Sequence, residues 1–141
     1  MKKINFKKEL CMACHNCELG CATVHSKGKS LISAMEENVM PRIHIIYNEK
    51  KSSIVAEQCK QCKKPKCVEA CPVGALSQNE EGMIVVDFEK CTGCGECEKA
   101  CPFNAIRIRE KCIKCDLCEG VSDIPACVMY CPAGALTYKE S

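Results

Sequence analysis

The sequence predicts an α+β fold of short strands and short helices, arranged as two small modules of which one is inserted in the other. Three observations support this prediction. Cysteine occurs 17 times in 141 residues, about 12% and above the level typical of a cysteine scaffold. These cysteines fall into four groups of related spacing, and three of the groups end in the same Cys-Pro turn. Aromatic residues make up only 4% of the chain.

The composition leaves little material for an ordinary apolar core. Tryptophan is absent, and tyrosine and phenylalanine occur three times each. A chain this poor in large side chains needs another element to fill and staple its interior. We expect a cytoplasmic protein without a membrane span, because the sequence shows neither a signal peptide nor a long apolar run. Disulfides are rare in the cytoplasm, so the cysteines are expected to bind metal.

The four groups share closely spaced cysteines followed by a more distant one. The first group is Cys11, Cys14, Cys17 and Cys21, spaced C-x2-C-x2-C-x3-C. The second is Cys59, Cys62, Cys67 and Cys71, spaced C-x2-C-x4-C-x3-C and followed by Pro72. The third is Cys91, Cys94, Cys97 and Cys101, spaced like the first and followed by Pro102. The fourth is Cys112, Cys115, Cys118, Cys127 and Cys131, followed by Pro132.

The third group matches the bacterial ferredoxin run that holds [4Fe–4S] clusters. Three of its cysteines bind one cluster from a tight loop, and the fourth ligates the neighbouring cluster. Gly93 and Gly95 allow the backbone of that loop to direct N–H groups at sulfur. C-x2-C pairs also build zinc sites, but a zinc site needs two pairs and not a triplet followed by C-x3-C-P. The pattern therefore predicts four [4Fe–4S] clusters.

Strand patterns accompany the groups. Each Cys-Pro turn has Gly or Asn where a left-handed residue is favourable, and each leads into an apolar residue that begins a short strand. Residues 84–86 and 106–109 also have strand character. We therefore expect groups two and three to form a complete two-cluster inner module, residues 52–109. Residues 1–51 and 110–141 then form a split, outer two-cluster module.

Crossed ligation predicts which cysteines share a cluster. The Cys59 set joins Cys59, Cys62, Cys67 and Cys101. The Cys71 set joins Cys91, Cys94, Cys97 and Cys71. The Cys11 set joins Cys11, Cys14, Cys17 and Cys131. The remaining cluster takes Cys21 with three cysteines of group four, and the residues alone leave two choices: Cys112, Cys115 and Cys127, or Cys115, Cys118 and Cys127.

The long spacer, residues 27–58, predicts a hairpin with a turn near residues 48–52. Before the hairpin, Leu31, Met35 and Val39 have the spacing of one short amphipathic helix. His15 lies inside the first cysteine loop, either as a ligand or packed near a cluster, and the complete cysteine set favours packing. His25 is expected to line the first cluster. Group two is crowded by lysines, which either steer an acidic redox partner or form a solvated loop: Lys60, Lys63, Lys64 and Lys66.

The motifs resemble those of four-cluster, ferredoxin-like electron-transfer subunits of the dimethyl sulfoxide reductase, formate dehydrogenase and formate hydrogenlyase type. The resemblance covers nearly the whole chain and includes Lys114-Cys115-Asp116-Leu117-Cys118, Pro125-Ala126-Cys127 and Cys131-Pro132. It implies that Cys115, Cys118 and Cys127 join Cys21 in the fourth set, here called the Cys21 set. Cys112 is then the spare thiol.

A narrower resemblance is to the small iron–sulfur protein that accompanies nickel carbon monoxide dehydrogenases. It is carried by residues 17–22, His25-Ser26 and Pro41-Arg42-Ile43. It implies a non-catalytic subunit that takes electrons from carbon monoxide dehydrogenase and passes them to a hydrogenase or a flavin NAD(P) oxidoreductase. Related subunits of tungsten or molybdenum formate dehydrogenases and aldehyde oxidoreductases look similar. From another class, a zinc or thiol regulatory module remains an alternative.

Nucleic acid is not expected as a partner. The formal charge of +2 counts every thiol as neutral, whereas metal-bound thiols are deprotonated. Four oxidised clusters, each about −2 with its thiolates, bring the net charge to about −6. A nucleic-acid-binding protein needs a basic face instead.

Overall fold

The computed structural model describes residues 2–140, which form short helices and short strands. The helices are α1 (Asn16–His25), α2 (Leu31–Glu37), α3 (Lys66–Ala70), α4 (Glu96–Ala100) and α5 (Ala126–Met129). The strands are β1 (Lys2–Phe6), β2 (Ile43–Asn48), β3 (Ser53–Gln58), β4 (Leu76–Gln78), β5 (Ile84–Val86), β6 (Arg107–Arg109), β7 (Lys111–Ile113) and β8 (Leu136–Glu140). The predicted mixture of short helices and short strands is confirmed.

The strands pair into two-stranded sheets. Strands β2 and β3 form the predicted hairpin, and β4 pairs with β5 and β6 with β7 in antiparallel register. Strand β1 is antiparallel to β8, with Phe6 opposite Leu136 and Ile4 opposite Tyr138. The sheet β1–β8 thus joins the two distant parts of the chain.

The three Cys-Pro turns adopt the predicted conformation. Gly74, Asn104 and Gly134 have φ of 67°, 52° and 66°, the left-handed region that favours Gly and Asn. Strands β4, β6 and β8 begin two to three residues later. Each Cys-Pro turn therefore ends a cysteine group and starts a strand.

The first cysteine group has no such turn, because Ala22 and not proline follows its last cysteine. Helices α3 and α4 are five residues long and end just before a Cys-Pro pair, because the α conformation is disfavoured for the residue before proline. In α1, Ala22 follows Cys21, and the helix continues to His25. Cys21 consequently lies inside a helix, whereas Cys71 and Cys101 lie just past one.

Helix α2 covers most of the predicted segment but buries a different residue. Ser30 caps its start by accepting from the N–H of Ser33, and the helix stops at Asn38, which has φ 53°, before Val39. Met35 is 73% exposed, and Leu31 is exposed as well. The expected apolar face of Leu31, Met35 and Val39 is wrong, since Ala34 is the buried residue of α2.

Contacts divide the chain into two compact units. One unit is Gln58–Asp116, and the other is Lys2–Glu57 with the residues from Leu117 onward. The first unit has a core that combines cysteines with Leu76, Ile84 and Ile106. The second unit combines cysteines with Ile43, Ile45 and Leu136. Among residues 2–140, no helix is long and apolar enough to cross a membrane.

Candidate metal centres

The four cysteines of the Cys11 set line one cavity in the second unit. Three come from the first cysteine loop and the start of α1, and Cys131 follows α5. The space between the lining atoms is about 310 Å³, part of it open to solvent. The pairing of β1 with β8 contributes Phe6 and Leu136 to the wall. The cavity therefore combines four sulfurs with an apolar lining.

The four cysteines of the Cys71 set line a second cavity, in the first unit. It has the same volume of about 310 Å³ and is also partly open to solvent. The loop of group three wraps one side through Thr92, Gly93 and Gly95, and the Cys-Pro turn after Cys71 closes another. One cysteine of group four, Cys112, also lines this cavity.

The Cys-Pro turns surround their sulfurs with backbone N–H groups. The N–H of Ala75 points at the Cys71 sulfur at 3.3 Å, and that of Ala105 points at the Cys101 sulfur at 3.4 Å. Burial raises the pKa of Cys71, but the N–H groups of residues 73–76 outweigh it and lower the pKa below its usual value. Cys131 behaves in the same way with residues 133–136. These turns favour thiolates, the form that binds metal.

The cysteines of the Cys59 set influence one another electrostatically. Burial is the main reason that the pKa of Cys67 is raised to about 11, and the charges of Cys59 and Cys101 raise it further. The same causes raise the pKa of Cys62. Mutual repulsion of thiolates at close range is relieved when a metal cluster binds them, with release of protons.

The four proposed members of the Cys21 set are all buried. The N–H of Arg42 donates to the Cys21 sulfur at 3.2 Å, and the side-chain amide of Gln58 donates to the Cys115 sulfur at 3.7 Å. Their assignment to one cluster remains a proposal from the sequence.

Cys112 lies beside the Cys71 set. Its N–H donates to the Cys91 sulfur at 3.3 Å, and its own sulfur lies 3.8 Å from that of Cys97. The hydrogen bond between the two side chains lowers the pKa of Cys97 and, together with burial, raises the pKa of Cys112. Cys112 therefore contacts two proposed ligands of the Cys71 set, Cys91 and Cys97.

The histidines near the first cysteine loop contact other protein groups. His15 lines the cavity of the Cys11 set, and its Nδ1 contacts the carboxylate of Glu18. This contact supports the packing role over ligation. His25 was expected to line the same cavity but lies outside its walls. Its Nδ1 instead lies 2.8 Å from the Cys21 carbonyl oxygen and 3.8 Å from the Cys21 sulfur, one helical turn away.

Sequence reasoning missed a buried polar cluster next to group two. Gln58, Gln61 and Lys114 are at most 8% exposed and bond to the sulfur or carbonyl of Cys115. Lys114 was noted only as part of a motif. The signal that could have revealed Lys114 is its position between Ile113 and Cys115, in a segment that is otherwise largely buried.

The donor set fits iron–sulfur clusters. Soft thiolates suit such clusters, and backbone N–H groups directed at sulfur are among the features that set cluster potentials. Among residues 2–140, no three His, Cys, Asp or Glu side chains are grouped as ligands of a single metal ion. The sequence-predicted Cys11 and Cys71 sets each surround a cavity of their own.

Residues 50–141 match the family model described as the 4Fe-4S dicluster domain. The chain is 33% identical over 144 residues to the electron transport protein HydN of Escherichia coli (strain K12), covering 89% of this chain and 81% of HydN. It is 36% identical over 136 residues to AegA of the same organism. That match covers 89% of this chain but only 20% of AegA.

A solved structure shares the fold. It is a chain of the active site complex BamBC of benzoyl coenzyme A reductase, which matches with a TM-score of 0.53 at 20% identity. The alignment covers 100% of this chain and 80% of that one. The likeness extends over group one, which lies outside the residues matched by the family model.

Proposed function

Since this chain belongs to the 4Fe-4S dicluster family of iron–sulfur electron-transfer proteins, we propose that it relays single electrons through four [4Fe–4S] clusters. The clusters are held by the Cys11, Cys21, Cys59 and Cys71 sets. When bound, such clusters exchange electrons over a wide range of potentials. The observation that carries the proposal is that the four cysteines of the Cys11 set line one cavity and those of the Cys71 set line another.

The chain itself supplies ligands, N–H groups and insulation. Cys14 and Cys94 are exposed, which brings two of the proposed sites to the surface, where electrons can enter or leave. The other members of these two sets are buried or half-buried. The thiolates hold the clusters, and the surrounding N–H groups and apolar walls tune their potentials. We propose that the protein acts as an electron-transfer subunit without a catalytic residue of its own.

Iron and acid-labile sulfide analysis of anaerobically purified protein tests the cluster count. We expect about sixteen iron and sixteen sulfide per chain, with paramagnetic signals after dithionite reduction. About eight of each would contradict four clusters, since the family model by itself describes two. Zinc without iron would instead favour the regulatory alternative.

For the partners, we propose carbon monoxide dehydrogenase as donor and a flavin NAD(P) oxidoreductase or hydrogenase as acceptor. This proposal is supported by the similarity of residues 17–22 and 41–43 to the accompanying iron–sulfur protein. Stopped-flow mixing of the oxidised protein with carbon monoxide and a nickel carbon monoxide dehydrogenase should bleach its visible absorbance within seconds. Bleaching only by a tungsten or molybdenum formate dehydrogenase with formate, or by an aldehyde oxidoreductase with its aldehyde, would favour those alternatives. We keep the cytoplasm as the proposed location because the thiols must remain reduced.

A further inference from the structure

A lysine is buried in the unit Gln58–Asp116. The side chain of Lys114 is 3% exposed, and its ammonium donates to the carbonyl oxygens of Ile84 and Cys115, each at 2.8 Å. Burying an ammonium is costly unless polar groups solvate it. Carbonyl dipoles lower this cost and leave the formal charge in place. The chain therefore holds a cation inside a unit that is otherwise built around thiols.

Gln61 links this ammonium to the loop of group two. The Gln61 side-chain amide donates to the same Cys115 carbonyl at 3.0 Å and accepts from the N–H of Ile84 at 2.8 Å. The backbone N–H of Gln61 points at the Cys59 sulfur at 3.5 Å, and the next residue is Cys62. Lys114 and Gln61 thus both bond to Ile84 and Cys115, and Gln61 connects this pair of residues to the Cys59 sulfur.

The electrostatics agree with this geometry. Burial and the neighbouring cysteines raise the pKa of Cys62 and Cys67, and the charge of Lys114 acts in the opposite direction on both. A positive charge that favours a thiolate over a thiol also favours the reduced form of a cluster bound by that thiolate. The reason is that reduction adds negative charge, which a nearby cation stabilises.

We propose that Lys114 raises the reduction potential of the cluster held by Cys59, Cys62, Cys67 and Cys101, so that this cluster is a preferred resting place of the transferred electron. The inference rests on the proposed function, because it requires that cluster. In this proposal Lys114 acts on the cluster through its charge and is not a ligand.

Redox titration of the full chain, monitored by electron paramagnetic resonance, tests the proposal. In Lys114→Met, we expect the ratio of reduced to oxidised form of one cluster to fall about tenfold at a fixed potential, a shift of about 59 mV. A tenfold change is the size that Coulomb's law gives for a unit charge roughly 12 Å away in a medium of effective dielectric about 20. Lys114→Arg keeps the charge and should stay within about twofold of the wild type.

Lys111 offers a matched control three residues earlier. It is exposed, and its ammonium donates to the Cys91 carbonyl, next to the Cys71 set. Because water screens an exposed charge, Lys111→Met should change every ratio by less than about twofold. A shift as large as that of Lys114→Met would assign the effect to total charge and overturn the proposal.

Two further measurements complete the test. In a Cys62→Ser background, where the Cys59 set lacks a ligand, the signal that moves in Lys114→Met should be absent, and its persistence would contradict the assignment. Lys114→Gln, which keeps a hydrogen-bond donor, is titrated beside Lys114→Met. If both neutral variants fail to bind iron, Lys114 serves folding and the proposal falls.

The inference and the proposed function fail in different ways. Full iron content in Lys114→Met with all potentials unchanged would overturn the role of Lys114 and leave the electron-transfer function standing. Absence of clusters from the wild-type chain would defeat the proposed function itself.

Discussion

The cysteine loops of groups one and three have the same backbone shape but reach it with different residues. In group three the two left-handed positions are Gly93 and Gly95, with φ of 73° and 84°. In group one the equivalent positions are Ala13 and His15, with φ of 53° and 62°. Residues with a Cβ pay about 1 kcal/mol or more for this conformation. Each loop nevertheless contributes three cysteines to the wall of its own cavity.

The two glycines of group three are favoured for different reasons. A Cβ on Gly93 would lie 2.3 Å from the carbonyl oxygen of Glu110, whereas a Cβ on Gly95 would meet nothing within 4 Å. Position 93 therefore favours glycine because of both its positive φ and the nearby Glu110 carbonyl, whereas position 95 favours glycine only because of its positive φ. His15 shows that a side chain is accepted at the position of Gly95, where it contacts Glu18.

The largest expected effect comes from removing one ligand in each loop. Cys14→Ser and Cys94→Ser should each lower iron and sulfide by about a quarter, because each removes a ligand of one of the four proposed [4Fe–4S] clusters. Anaerobic metal analysis of the two purified variants measures this. A loss of half the iron in only one variant would show that the two sites are not equivalent, and a loss of half in both would show that clusters assemble in pairs.

Gly93→Ala should follow in size. The clash with the Glu110 carbonyl adds to the left-handed strain, and together they should lower the free energy of unfolding by about 3 kcal/mol. Denaturant unfolding under anaerobic conditions measures the loss. Gly95→Ala is the matched control, with a loss of about 1 kcal/mol from strain alone. Equal losses in the two variants would contradict the distinction drawn between the glycines.

Ala13→Gly tests the strain in the first loop. Glycine relieves the left-handed conformation but gains more entropy in the unfolded chain. We expect a net rise in the free energy of unfolding of about 0.5 kcal/mol, read from the denaturant midpoint. A clear loss of stability would mean that the Ala13 methyl group contributes packing that outweighs its strain.

Cys112→Ser should have the smallest effect, with iron and sulfide unchanged. Cys112 is buried next to Cys97 and Cys91, and the Cys71 set is complete without it. A serine of similar size can keep the backbone N–H bond to the Cys91 sulfur. A fall in iron by about a quarter would show that Cys112 is a ligand, and the spare thiol would have to be sought elsewhere in group four.

The sequence allowed much of the local structure to be predicted. The Cys-Pro turns, the strands after them and the hairpin before group two follow from proline, glycine and alternating apolar residues. The end of α2 and its exposed Met35 could not be predicted, since the helix pattern does not say which face finds a partner. The burial of Lys114 and Gln61 depends on hydrogen bonds to Ile84, far away in the sequence.

The same distinction applies to the sites. Spacing predicts the Cys11 and Cys71 sets, because ligand number and cluster size restrict the possible loops, and the members of each set line one cavity. It could not locate Cys112, whose place beside Cys97 arises from the register of β6 and β7, where Ile108 is opposite Cys112. The hairpin is local, but the contacts of Cys112 with Cys97 and Cys91 reach 15 and 21 residues back along the chain, and the spacing within group four does not reveal them.

The pairing of β1 with β8 has a consequence for the order of events on the ribosome. The chain emerges from its N-terminus, and domains generally fold as units as they are completed. Cys11, Cys14 and Cys17 are synthesised first, but the cavity that they share with Cys131 can close only when β8 has been made. Residues 58–116 are available for folding earlier. Free thiols of the first loop must therefore wait, in a reduced state, until Cys131 and β8 have been synthesised.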